Sequence, residues 1–272
     1  MSDWIHNLPV GGTGVVVFSG TYLVTALIFL VVLGSAKGER LRTYKGVSPG
    51  LLPPLGIIFG LLVAFLAAQV WGDVDRANTA VNREASALRA AVLLSTSIPA
   101  QPGRQLRGLI RQHIHEAQTI EWPAMARKRA NLTMIPVPLA EALRSTLTLR
   151  PESAGQAAAQ REIVTALENA LDARRQAILV SRSEVNWVKW MSLFVQAICT
   201  LIAIALVHSD NRPTAAIALG LFSTAVAVCI LLIASHDRPF TRQLTVTPAA
   251  LLQVEPDSAD AASVGADTDS AR

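Results

Sequence analysis

Residues 51–71 read LLPPLGIIFGLLVAFLAAQVW and hold no Lys, Arg, Asp or Glu. As an α-helix, a stretch of this length rises about 32 Å, enough to cross a hydrocarbon layer of roughly 30 Å. Lipid offers the backbone no hydrogen-bond partners, so the segment must satisfy itself as a helix. The polar alternation of a barrel strand is missing. Pro49, Pro53 and Pro54 stand at its start, where a missing N–H costs little. Gly56-Ile-Ile-Phe-Gly60 is a G-x-x-x-G, which permits close helix approach.

The helical pattern continues beyond Trp71. Val74, Val81, Ala85, Leu88 and Val92 recur at helical spacing, with Arg76, Asn82, Arg83 and Arg89 between them. This predicts one long helix that leaves the bilayer and ends near Ser97, ahead of Ile98-Pro99 and Gln101-Pro102-Gly103.

Three other stretches are also free of charge, the third of them Trp190–Val207, giving spans at about 13–35, 51–72, 189–207 and 213–235. Met1–Asn7 lacks the Lys or Arg of a signal-peptide n-region, and the first apolar run exceeds an h-region, so it is expected to remain as a span. Composition agrees: 51% of residues are hydrophobic and 16% charged, against about 25% charged in soluble proteins. The expected fold is an all-α membrane protein, with four transmembrane helices in two pairs flanking a soluble helical region.

The chain then divides into a first transmembrane pair (1–72), a soluble helical region (73–187), a second pair (188–236), a post-membrane segment (237–254) and an acidic tail (255–272) expected to be disordered. In the soluble region, Leu106, Leu109, Ile110, His113, Ala117 and Ile120 mark a helix that Trp122-Pro123 is expected to interrupt. A short helix follows at 139–147. A long one from about Gly155 is expected to run almost unbroken into the third span, so that the soluble region is continuous with spans 2 and 3. Its core is rich in Ala and poor in aromatics, and packing in an oligomer would add buried surface.

The net charge of +4 combines a tail of −4 with a body of +8. On a membrane protein this excess reflects topology and anionic headgroups; no nucleic-acid motif accompanies it. Near the span ends, the side shared by both termini and the soluble region carries nine basic residues, against five on the other. That predicts a cytoplasmic soluble region and cytoplasmic termini, although the short basic loop Lys37–Gly50 counts the other way. Trp71, Trp187 and Trp190 fall at span ends, as interfacial rings do.

Little points to catalysis. No P-loop, G-x-S-x-G, H-E-x-x-H or C-x-x-C occurs. His113 and Glu116 could share a helix face, but no third ligand is identifiable, so a packed His113 and a solvated His115 are expected, with no metal and no cofactor. Cys199 and Cys229 read as small apolar residues in spans. The spans lack the mid-membrane charges of proton-coupled transporters. A pore that selects by apolar constriction or weak polar contact remains open, with Gln69, Asp73, Gln196 and Thr200 as candidates. Helix–helix hydrogen bonding is their plainer use.

Residues 71–88 (WGDVDRANTAVNREASAL, with Asn82, Arg83 and Glu84), then Glu121-Trp122-Pro123, then Asp237-Arg238-Pro239-Phe240, resemble the bacterial bestrophin-like domain family. The resemblance covers roughly Val10 to Val254 and implies a multi-pass protein of the bacterial inner membrane. It brings no established activity. The order of elements is also similar to that of bestrophin chloride channels, which are pentamers with two spans, a cytosolic helical region and two more spans. Their second span carries G-x-x-V and then a tryptophan; Gly60, Val63 and Trp71 look similar. In that register the apolar neck falls on Pro53, Ile57 and Leu61. One departure matters: bestrophins follow the last span with acidic residues that clasp calcium, and this chain reads TRQLTVT after Phe240. Calcium gating is therefore not carried over.

Two readings follow. In one, the protein is a homo-oligomer, pentameric by the resemblance, that conducts inorganic anions through a pore lined by the second span at Pro53, Ile57, Leu61, Gln69 and Asp73. In the other, it is a non-conducting membrane scaffold or sensor whose soluble helices bind a partner.

Overall fold

The structure, a computed structural model, describes residues 10–133, 135–241 and 246–254. The acidic tail 255–272 and Met1–Asn7 lie outside the described residues. All regular elements among those described are helices: α1 (Val10–Ser35), α2 (Glu39–Lys45), α3 (Leu52–Leu94), α4 (Ala100–Glu116), α5 (Trp122–Ala126), α6 (Val137–Leu147), α7 (Ala154–Ser181), α8 (Trp187–Val207), α9 (Arg212–His236) and α10 (Ala249–Leu252). Four are long and apolar enough to cross a membrane: Gly11–Ser35, the helical run Pro49–Ser97, Trp187–Val207 and Arg212–His236. The chain is an all-α membrane protein with four spanning helices.

The chain separates into two compact units. One contains the residues up to Gly72 together with Glu184–Arg238; the other contains Asp73–Ser183 together with the residues from Pro239 on. Helix α3 passes Gly72 without a break, and its 43 residues rise about 65 Å.

The first unit holds α1, α2, the start of α3, α8 and α9. Its core forms where Phe59, Leu66 and Val70 of α3 meet Trp190, Leu193 and Ala197 of α8 and Val226, Ile230 and Ile233 of α9. Phe59 and Phe222 rings lie 5.5 Å apart. Hydroxyl pairs join α1 to α9: Thr25 Oγ1 and Ser223 Oγ at 2.5 Å, Tyr22 and Thr224 at 2.7 Å. In a low-dielectric setting such pairs spare each hydroxyl an unmet hydrogen bond. A second cluster closes one end of the helices, with Val32, Leu33, Tyr44, Leu52, Leu201, Ile204, Ala215 and Leu219.

The second unit packs α4, α6 and α7 around the Asp73–Leu94 part of α3. Its core is Ala-rich, as expected: Ala77, Ala80, Ala91, Ala142, Ala166 and Ala170 sit among Leu88, Leu106, Ile110, Ile163 and Leu167. Small side chains let helices approach closely. The tightest point is Gly103, where an added Cβ would lie 2.4 Å from the Ser95 carbonyl oxygen. Gly103→Ala forces the two backbones apart. It should cost about 1–3 kcal/mol, as overpacking does, and lower the unfolding temperature in detergent. An unchanged transition would mean that this contact is loose.

Two expectations need correction. Trp122-Pro123 does not end the helix: α4 passes through a π turn at Ala117–Glu121 into α5, and Trp122 keeps helical angles of φ −58°, ψ −49°. The wider turn makes room for the proline ring, which would clash with the carbonyl four residues back in a regular helix. Nor does α7 run into the third span. It stops at Ser181, and α8 restarts at Trp187, so the soluble region is helically continuous with span 2 only. Asn186 starts α8 by accepting the Val188 N–H at 3.1 Å. Asp237 accepts the Val185 N–H at 2.7 Å, which holds the break.

Candidate functional site

Helix α3 presents two faces within the first unit. Phe59, Leu66 and Val70 point into the core. Pro53, Ile57 and Leu61 lie together on an exposed face, with Ile57 71% and Leu61 56% exposed. Phe65, 67% exposed, borders it. Nothing lies within 4 Å of a Cβ placed at Gly56 or Gly60, so among the described residues neither glycine is in close contact with a neighbouring helix.

The polar candidates fall elsewhere. Gln69 is half-buried and accepts a hydrogen bond from Lys189 of α8. Asp73 is buried and pairs with Arg76 one turn on. Gln196 donates to the Leu55 carbonyl at 3.1 Å, and Thr200 donates to the Gln196 carbonyl at 2.9 Å. The structure brings Pro53, Ile57 and Leu61 together, and it turns Gln69 and Asp73 to other partners. Of the span-end tryptophans, Trp71 and Trp187 are exposed, while Trp190 is buried and stacked on Phe194 at 5.8 Å.

The motif residues of the second unit form buried polar contacts. Glu84 of α3 meets His113 of α4, Oε1 to Nε2 at 2.8 Å, both almost fully buried. His115 is exposed, and Glu116 accepts from Gln112 instead of sharing a ligand with His113. Glu121 takes a two-pronged contact from Arg174 of α7: Nε at 2.9 Å to both carboxylate oxygens, Nη2 at 2.5 Å to one. Such forks are strong and directional. Among the described residues, no group of three or more His, Cys, Asp or Glu is placed to hold a metal.

Trp122 and Phe240 meet edge to face at 5.4 Å. The Trp122 indole N–H donates to the Val246 carbonyl at 3.3 Å, and the Val246 N–H donates to the Pro239 carbonyl at 3.1 Å. The Glu121-Trp-Pro123 and Pro239-Phe240 motifs are thus one contact, which ties down the post-membrane segment. Trp122→Ala removes both the ring contact and the indole bond, together about 2 kcal/mol. Amide exchange over 246–254 should quicken on the order of thirtyfold; unchanged exchange would show the segment held by other contacts.

Asn82 and Arg83 behave differently. Both are exposed and line an open polar groove of about 660 Å³ with Thr79, Ser86, Asp172 and Gln176. Arg238 is half-buried beside the buried Asp237.

Arg174 is a residue that sequence reasoning used only for orientation. Its signal was present: it stands one turn from Ala170 and one from Ile178, on the buried face of α7. Glu84 carries the same signal between Val81 and Leu88. A lone charge on an apolar stripe needs a buried partner.

Known proteins fit this arrangement. A bacterial bestrophin homologue from Klebsiella pneumoniae, seen in crystal structures of single-site variants, superposes with a TM-score of 0.67 at 15% identity, over 88% of this chain and 97% of that one. A second variant gives 0.67 at 15%, over 88% and 94%, and a third 0.64 at 16%, over 86% and 95%. At these identities the likeness is one of fold. Among curated proteins none matches. The bestrophin-like domain model, however, matches residues 19–251, most of the sequence. With four spanning helices as well, the chain belongs to the bestrophin-like domain family.

Proposed function

We propose that the protein is a homo-oligomeric channel for small inorganic anions, pentameric as in the bestrophins it resembles, with α3 lining the pore. One observation carries this reading: the apolar face Pro53, Ile57, Leu61 is left uncovered by the described residues of its own chain. In a ring of copies this face would form stacked apolar constrictions without charge, which gate by dewetting. Gly60, on the same helix with open space beside it, leaves room for a neighbouring copy. Gln69 and Asp73, engaged by Lys189 and Arg76, then stabilise the helix instead of meeting the ion. The soluble region and both termini are read as cytoplasmic, in the bacterial inner membrane.

The subunit count of purified protein, with chloride release from liposomes containing it, tests the proposal. A closed ring of several copies and release well above that of empty liposomes are expected. A folded monomer without release would overturn it.

A second reading has its own observation. Asn82 and Arg83 belong to a motif, yet face an open groove and not the core. A scaffold or sensor that recruits a partner through that groove would use them so. A monomer that retains a partner through Arg83 would favour it.

A further inference from the structure

We propose that the basic loop between the first two spans forms an anion-concentrating mouth at the N-terminal end of the pore helix. The inference rests on the channel reading and adds where anions enter.

The loop is not an idle linker. Helix α2 is fixed to its surroundings: Tyr44 packs in the end cluster with Leu52, and the Tyr44 and Ser35 hydroxyls lie 3.1 Å apart. Leu52 begins α3, and Pro53 follows at once, so this fixed helix stands at the start of the exposed face of α3. Ser48 caps the short 3₁₀ turn Pro49–Leu51 between them, accepting the Gly50 N–H at 3.2 Å.

Most of the charged side chains that this scaffold leaves outside are cationic. Lys37, Arg40 and Arg42 are exposed. At this end of the helices the loops carry Lys37, Arg40, Arg42, Lys45 and Arg212 against Glu39 and Asp210, a net +3 per copy. In a ring of copies the charge multiplies around one axis. Surface charge of one sign raises the local concentration of the opposite ion and its rate of entry, an effect that salt screens. The apolar stretches 13–35, 51–72, 190–207 and 213–235 carry no fixed charge, and Lys189 at the start of α8 is engaged by Gln69, so sign selection must come largely from the mouths.

The test compares wild-type protein with the triple variant Lys37→Gln/Arg40→Gln/Arg42→Gln, as full-length protein in phosphatidylcholine liposomes with and without phosphatidylglycerol. The readout is the ratio of variant to wild-type chloride flux at two salt concentrations. Screening lengths are about 30 Å at 0.01 M and about 3 Å at 1 M. The ratio should be roughly one third in low salt and close to one in high salt. Three results would overturn the inference while leaving the channel intact: a ratio of one throughout, a ratio equally low in both salts, or a defect confined to liposomes with phosphatidylglycerol. The last would assign the loop to anionic headgroups. No flux from the folded wild-type oligomer would remove the channel reading and this inference with it.

Discussion

His113→Ala should strongly destabilise the second unit. It strips the partner from Glu84, whose carboxylate is almost fully buried. Breaking a buried pair from one side costs about 3–5 kcal/mol, because the remaining charge stays desolvated with nothing to balance it. For a protein of this size, that lowers the unfolding temperature in detergent by roughly 10 °C or more. Removing both partners should cost much less. In Glu84→Met/His113→Leu, two apolar side chains of similar bulk fill the same space, and such replacements are often near neutral. The double variant should therefore melt above His113→Ala. If the two losses simply add, the pair does not act as a unit, and the reading of this core is wrong.

Leu61→Ser should raise chloride flux about tenfold, the change expected if one apolar constriction contributes roughly 1.4 kcal/mol to the barrier. Leu61 is 56% exposed and outside the core clusters. Its loss should therefore leave the fold and the oligomer largely unchanged. One substitution alters the ring once for every copy, which is why a small chemical change has a large effect. The same change at Leu66, which is buried in the core, should instead lower stability, because it sets a hydroxyl among apolar neighbours. Unaltered flux from an intact Leu61→Ser oligomer would place the constriction elsewhere.

The spans and the length of α3 were legible because they rest on simple quantities. A charge-free run long enough to cross lipid has few other fates, and Val81, Ala85, Leu88 and Val92 kept the helical register past Trp71. The break at 182–186 was hidden, because RSEVN contains neither Gly nor Pro, and the acceptor that holds it, Asp237, lies far along the chain. The π turn before Pro123 was hidden for a related reason: its residues are ordinary helix formers, and only the geometry of accommodation distinguishes it. Partners of buried charges were half legible. The positions of Glu84 and Arg174 on apolar stripes announce burial, but pairing with His113 and Glu121 is a tertiary fact. So is the meeting of Trp122 with the Val246 carbonyl, 124 residues away. Of the pore candidates, the resemblance supplied Pro53, Ile57 and Leu61, and polarity in or just past a charge-free span supplied Gln69 and Asp73; helix geometry sets the two groups on different faces. Steps of four along α3 drift around the helix by about 40° each, which carries Gln69 and Asp73 off the face that begins at Pro53.

The most direct measurement uses a single thiol on that face. With Cys199 and Cys229 replaced by Ala, Ile57→Cys and Ile58→Cys each place a cysteine at an exposed position of α3, about 100° apart around the helix. A negatively charged methanethiosulfonate reagent is added to liposomes containing either protein, and labelling is confirmed by mass. If the Pro53–Ile57–Leu61 face lines a conducting pore, labelled Ile57→Cys should lose about nine-tenths of its chloride flux, because fixed negative charge in a constriction repels the permeant ion. Labelled Ile58→Cys should keep most of it. Equal responses from the two, or full flux through labelled Ile57→Cys, would contradict the account.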